Sequence, residues 1–348
     1  MRIAMLMGGA NTERDVSLAS GTEVASALRK AGHDVANVDL ATAVDADDGV
    51  DALFVSTDPP GWDMDVDREP PTNEEIRRLR DRYPHTVFAP GVIDVCQHAD
   101  LVYPLVYSDE GEGGYIQAVM ELCDIPYVGP APLGCAISFD KLTAKRLCRD
   151  GGLPTPEWVV LDHAGTAADV DLEGPWVVKP VRGGSTIGVA LASDRDELAA
   201  AIESSREYGA DALVERRIDG REFSLGVIGD EALAVVEIST DRELFDYVAK
   251  YQEDAAEEVC PAPQDDNERD ELQRLAVAAH RILAQGPNSP SRMDFLQDDD
   301  GQFYFLECNG LPGMTSTSLF PKSAKGAGMD LPEACDRIVR LAHDARVG

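Results

Sequence analysis

Residues 292–315 hold the densest set of groups able to do chemistry. Arg292-Met293-Asp294 opens one apolar run and Glu307-Cys308-Asn309 closes another, with the turn Asp298-Asp299-Asp300-Gly301 between them. Two such runs around an Asp-Gly turn predict a hairpin. With Asp300 and Gly301 as the central turn residues, Asp294 falls opposite Glu307 and Arg292 opposite Asn309. Strand side chains alternate faces, so all four share one face, and Met293, Phe295, Leu306 and Cys308 cover the other. An odd-length loop would break that sharing. Facing carboxylates repel across a ladder. Two carboxylates and an amide carbonyl are hard oxygen ligands of the kind Mg2+ takes together with water and phosphate oxygens. The competing reading is an acidic hairpin on an acidic surface. Asp298 to Asp300 fit that reading, whereas Asp294 and Glu307 lie inside the apolar runs.

A second cluster complements the first. Lys179 ends the apolar run from Trp176, and the loop Arg182-Gly183-Gly184-Ser185-Thr186-Ile187-Gly188 follows it. Such glycines permit close backbone approach and Ser185 adds a donor, as phosphate loops do. The Lys-Ser/Thr of a Walker A loop is missing, and a plain glycine-rich hairpin is an equal reading. Phosphates need both cationic donors and a metal, so the two clusters together point to a Mg-nucleotide site. Glu13, after Gly8-Gly9, precedes a predicted helix, where acidic residues also favour the dipole for purely structural reasons. Lys250 and Tyr251, in Phe245 to Tyr251, read equally as binding residues or core-edge residues.

The elements that must position these groups follow from pattern. Residues 2–7 and 34–40 read as strands around a helix from about Val16 to Lys30, a βαβ opening that implies an open parallel sheet. A further strand, 101–107, runs into Ser108 to Gly114 and a helix from Tyr115, the strand-to-helix edge where α/β folds bind ligands. Residues 56–99 look like an insertion, with a helix from Asn73 to Tyr83. After Gly129-Pro130 the pattern changes to α+β, with a helix starting near Lys141, strands at 157–161, 175–179, 187–192, 212–217, 222–229 and 232–238, and helices near 195–206 and 268–284. The expected fold class is therefore an α/β N-terminal open parallel sheet followed by α+β domains.

Composition sets limits. The 348 residues carry 64 Asp and Glu against 31 Lys and Arg, a formal net charge of −33. Such a surface disfavours nucleic acid and anionic membranes, and suits a high-salt medium. The apolar N-terminal run is too short for a signal or a span. Seven cysteines without a CxxC pair fit a reducing cytoplasm and no zinc site.

Taken together, Glu13-Arg14-Asp15-Val16-Ser17-Leu18, Lys179 to Gly188, Asp246 to Tyr251, Arg292-Met293-Asp294 and Glu307 to Ser318 resemble the D-alanine–D-alanine ligase family of the ATP-grasp superfamily, in order and spacing over most of the chain. The resemblance implies three domains: an N-terminal substrate domain (1–129), a central ATP-grasp subdomain (130–218) and a C-terminal catalytic domain (219–348). It implies that Lys141 and Lys179 bind ATP, that Glu215, Arg216 and Ile218 form the adenine hinge, that Glu222 binds the ribose and that Lys250 reaches the γ-phosphate. Asp294, Glu307 and Asn309 would hold two Mg2+, with Mn2+ an acceptable substitute. Glu13 would receive the first substrate's ammonium in a network with Ser185 and Tyr251. Arg292 and the backbone of Gly313 would stabilise the oxyanion, and Ser318 would bind the second substrate's carboxylate.

The implied reaction joins D-alanine to D-alanine at the expense of ATP, through an acyl phosphate. Partners would be ATP and amino acids, with no nucleic acid or membrane and with room for a homodimer. One departure stands out. The family usually has His-Gly where this chain has Tyr107-Ser108, which marks Tyr107 as a second-substrate residue and keeps open a related ligase with another second substrate. Rival classes are a nucleotide-binding dehydrogenase, disfavoured by the missing G-x-G-x-x-G, and a non-catalytic ATP-binding module, which would have no use for Arg292.

Overall fold

The computed structural model describes all residues except 63, 65–69, 185, 210, 240–256 and 348. Three sheets carry the chain. The first is parallel, with strands β1 (Arg2–Met7), β2 (Asp34–Asp39) and β3 (Leu101–Pro104) in the order β2-β1-β3. Ile3 to Met7 are fully buried, as expected of a parallel strand covered on both faces. The helix Arg14–Lys30 covers one face, burying Val16, Val24 and Leu28.

The second sheet is antiparallel: β4 (Trp158–Leu161), β5 (Trp176–Pro180), β6 (Ala190–Ala192) and β7 (Ala212–Arg216), ordered β4-β7-β5-β6. The helix Arg195–Arg206 buries Leu198, Ala201 and Ile202 against its Trp176, Val178 and Val214. Asp194 caps that helix by accepting from the backbone N–H groups of Asp196 and Glu197. The third sheet adds β8 (Arg221–Ile228), β9 (Glu231–Ser239), β10 (Glu257–Val259), β11 (Pro290–Gln297) and β12 (Phe303–Asn309) in the order β10-β9-β8-β11-β12. The helix Asp266–Ile282 sets Leu272, Leu275, Ala276 and Ala279 on Phe223, Leu225, Met293 and Phe295.

The hairpin β11–β12 keeps the expected pairs by an unexpected route. Arg292 lies opposite Asn309 and Asp294 opposite Glu307, but beyond a bulge the pairs become Phe295–Phe305 and Gln297–Phe303. The loop is therefore 298–302, odd in length rather than a two-residue turn. The odd loop alone would set Leu306 opposite Asp294. The bulge makes Leu306 and Glu307 share Asp294 and restores the carboxylate face. Leu306 leaves the core face, where the alternation had put it, and lines a pocket.

Two strands, β3 and β6, fall short of their predicted spans by more than one residue. The run to Tyr107 leaves the first sheet at Pro104. The stretch before β6 is coiled into turns, with Thr186 at φ 61° and Gly188 at φ 74°, outside the extended region. Among the described residues five α-helices had no counterpart in the sequence reading: Val92–His98, Asp109–Glu112, Pro132–Phe139, Leu319–Gly326 and Leu331–Val347. The last packs against the helix Arg14–Lys30, so Ala334, Cys335, Ile338, Val339 and Ala342 share one core with the opening parallel sheet. No described helix is long and apolar enough to cross a membrane.

Candidate active site

The second and third sheets enclose a pocket. Lys179 (β5) and Glu215 and Arg216 (β7) line it, with Ile218 in the connection to β8 and Glu222 on β8. Arg292, Asp294 and Leu296 (β11) and Leu306 and Glu307 (β12) form the other wall. Lys141 and the glycine-rich residues Gly183 and Gly184 close one end. Beyond them a smaller pocket continues past Glu112, Asn309 and Gly310. The predicted residues from four separate stretches, at Lys141 and within 179–184, 215–222 and 292–309, thus meet in one cleft. Ser185, Lys250 and Tyr251 lie outside the described residues.

Local structure explains the convergence. Lys141 begins the helix Lys141–Asp150, capped by Asp140, which accepts from the Thr143 N–H at 2.8 Å. The Lys141 N–H donates to Val181 O at 2.9 Å and its ammonium donates to Gly183 O, fastening the helix start to the glycine-rich loop. Lys141 Nζ also lies 3.8 Å from Glu307 Oε2. Glu13 is 6% exposed, and a Cβ added to Gly184 would sit 3.1 Å from its Oε2. The loop after β1 and the glycine-rich loop therefore meet with the Glu13 carboxylate between them.

Repulsion between Asp294 and Glu307 is relieved by the protein's own cations. Arg292 Nε and Nη2 donate to the two Asp294 oxygens at 3.0 and 2.8 Å, a bidentate pair, and Lys141 approaches Glu307. Asp294 also accepts from the buried Ser224 hydroxyl at 2.7 Å and from Asn309 Nδ2 at 3.4 Å. Ser224 sits opposite Asp294 on β8, a supporting role the sequence reading had not seen. Glu215 was expected at the adenine hinge. Its carboxylate is 2% exposed and held between Lys145, at 2.8 Å, and Lys179, at 2.7 Å. Although burial pushes its carboxyl up, Lys179 and Lys145 more than offset this and hold it below the usual range.

The remaining predicted residues gather on the loop after β12, outside the main pocket. A Cβ added to Gly313 would lie 3.0 Å from Ser318 Oγ, which already accepts from the Thr315 N–H at 3.1 Å. The Tyr107 hydroxyl donates to Pro312 O at 3.3 Å, so the Tyr that stands where the family has His reaches this loop. Glu112 lies in the stretch Ser108 to Gly114, to which the sequence reading gave no site residue, and its carboxyl is strongly perturbed. Burial and the neighbouring charge of Glu13 push it up to about 8, against the pull of the Ser108 N–H and Lys141. Its place between a strand and a following helix was the available signal, whereas its approach to Glu13 comes only with tertiary packing.

Comparison with known proteins agrees with this layout. A family model described as D-ala D-ala ligase N-terminus matches residues 2–130, and one described as D-ala D-ala ligase C-terminus matches residues 147–340. Among curated relatives, a D-alanine–D-alanine ligase of Pediococcus pentosaceus is 36% identical, covering 97% of each chain. One from Dechloromonas aromatica is 33% identical, covering 98% of this chain and 97% of its own. Among solved structures, a Bacillus anthracis D-alanine–D-alanine ligase complexed with ATP superposes with a TM-score of 0.75 at 25% identity, covering 100% and 99% of the two chains. The VanG D-Ala:D-Ser ligase of Enterococcus faecalis superposes at 0.73 and 26%, covering 98% and 99%. The fold is accordingly an ATP-grasp fold preceded by a parallel sheet, and the chain belongs to the D-alanine–D-alanine ligase family.

Proposed function

We infer that this chain is an ATP-dependent, ADP-forming ligase that joins two molecules of D-alanine. The observation that carries the reading is the meeting of Arg292, Asp294 and Glu307 with Lys141 and the glycine-rich loop in one cleft, with the Glu13 carboxylate set against Gly184 of that loop. Three functional regions are proposed along the chain, 1–129, 130–218 and 219–348.

A carboxylate is a poor electrophile, and phosphoryl transfer from ATP converts it to an acyl phosphate that an amine can attack. Lys141 and Lys179 hold phosphates, with Lys250 as a third cation. Glu215, Arg216 and Ile218 border the base, and Glu222 takes the ribose. Glu13, with Ser185 and Tyr251, fixes the first ammonium. Arg292 and the Gly313 N–H face the oxyanion that develops at attack. Ser318 receives the second carboxylate.

Asp294, Glu307 and Asn309 form an all-oxygen set, with two carboxylates in register, that fits hard divalent cations. We propose two Mg2+ ions there, with Mn2+ as a substitute; when bound they neutralise phosphate charge. The chain's own part is to hold these oxygens on one strand face through Ser224 and Arg292. We further propose a homodimer. Tyr115, Leu122 and Leu133 are 56%, 88% and 67% exposed on neighbouring helices, and sedimentation velocity tests it.

The Tyr107–Pro312 contact supports one alternative, a different second substrate. Phosphate release from ATP and Mg2+ across D- and L-amino acids and D-lactate separates the two. Release with D-alanine alone, with a dipeptide by mass spectrometry, is expected. A requirement for another second acid or amine keeps the mechanism and moves the substrate, and no release with any amino acid refutes the reading.

A further inference from the structure

Lys145 is a fully buried cation that does not line the nucleotide pocket. Its ammonium donates to Thr155 Oγ1 at 2.5 Å, lies 5.1 Å from the Trp158 ring centre and pairs with Glu215 Oε1 at 2.8 Å. The other Glu215 oxygen is taken by Lys179, which does line the pocket. Val177 is directly opposite Glu215 in the β5–β7 register, so Lys179, two residues along the same face, is its diagonal neighbour. One buried carboxylate is thus shared by two ammonium groups, one enclosed on all sides and one facing the cleft.

We propose that Lys145 is a positioning residue, keeping Glu215 paired so that Lys179 is free to leave it for the phosphates of the nucleotide. This rests on the nucleotide-binding reading above. A carboxylate that is 2% exposed cannot stand without a partner, because an unpaired buried charge is strongly destabilising. With Lys179 as its only cation, Glu215 would compete with the incoming phosphate, and binding would have to leave one of the two anions unmatched. With Lys145 fixed behind it, Glu215 retains one ion pair throughout and keeps its place at the pocket wall. Two cations against one anion also leave a net positive charge at this point of the cleft, which attracts phosphate.

The inference separates phosphate binding from base binding. Titration calorimetry of the full chain with ADP and with adenosine, on wild type, Lys145→Met, Glu215→Gln and the double variant, tests it. Lys145→Met is expected to weaken ADP by about tenfold or more while changing adenosine by less than about threefold. In the Glu215→Gln background the Lys145→Met step is expected to change ADP by less than about threefold, because no carboxylate is left to hold Lys179. Equal losses for ADP and adenosine, or a Lys145→Met step of the same size in both backgrounds, would overturn the proposal. If Lys145→Met alone does not fold, the double variant, which lacks both buried charges, carries the test against Glu215→Gln by the same threefold criterion. Wild type that binds neither probe would refute the nucleotide reading itself, whereas wild-type ADP binding with an unaffected Lys145→Met variant would sink only this inference.

Discussion

Two side chains carry the residue-scale consequences. Arg292 is half of a bidentate pair with Asp294, both side chains being about nine-tenths buried. Its removal takes away the proposed oxyanion donor and leaves Asp294, among the described residues, with hydrogen bonds from Ser224 and Asn309. Arg292→Ala should lower turnover by about 100- to 1000-fold, the usual loss for an oxyanion donor, and should lower the melting temperature as well. Steady-state kinetics with an ADP-binding control check this, and unchanged turnover would sink the oxyanion role. Glu112 is the second. Its carboxyl is raised to about 8 by burial and by Glu13, so the folded chain holds a proton that the unfolded chain releases near 4.5. Stability from this group is fully present below about 4.5 and is lost as pH rises toward 8. Glu112→Gln removes that loss, so the melting temperature of the variant relative to wild type should be higher at pH 8 than at pH 5. A constant difference across that range would show that Glu112 does not titrate this way.

At the scale of elements, Gly111 shows how tightly the loop after β3 is held. A Cβ there would lie 1.7 Å from Val106 O, a backbone atom that cannot rotate away. Gly111→Ala must therefore displace Ser108 to Gly114, including Glu112. The expected outcome is a raised D-alanine KM with a nearly unchanged ATP KM, read from initial rates; a variant with wild-type KM for D-alanine would separate this loop from the substrate site. Elements were legible in sequence where one signal dominated. β1 is continuous apolar chain, and Asp294 and Glu307 were placed opposite each other by alternation and an Asp-Gly turn. The turn's true length was hidden because a bulge at Leu306 cancels the odd loop, and a bulge has no period to read. The helix Leu331–Val347 was readable and overlooked. Leu331, Ala334, Cys335, Ile338, Val339 and Ala342 follow a 3.6-residue stripe, and Asp330 and Glu333 exchange N–H bonds as a cap. What no local pattern could give is that this helix belongs with β1 and the helix Arg14–Lys30, since that pairing joins the two ends of the chain. The same holds for the site: each motif was visible, but the Glu13–Gly184 approach and the Lys145–Glu215–Lys179 triad depend on tertiary packing.

For the whole molecule the dominant quantity is the net charge of −33. Salt acts on it in two opposing ways. It weakens the exposed ion pairs, such as Arg77–Glu74 and Arg274–Glu271, each worth at most about 1 kcal/mol. It also screens repulsion among the acidic residues that have no cation to match them, since 64 acids face 31 bases. The second effect should win. The 64 acids and 31 bases leave a surplus of 33 negative charges, and repulsion adds over every pair of like charges, whereas each ion pair counts once. The buried pairs that shape the site, Glu215 with Lys145 and Lys179 and Arg292 with Asp294, are shielded from bulk ions and change little. As the screening length falls from about 10 Å at 0.1 M to about 3 Å at 1 M, the melting temperature in KCl should rise. Most of that rise should come below about 1 M, where the screening length changes fastest. A melting temperature that stays flat or falls over this range would mean that the surface ion pairs outweigh the repulsion. A steady rise continuing well past 1 M would point to salt strengthening apolar burial instead, because screening is by then nearly complete.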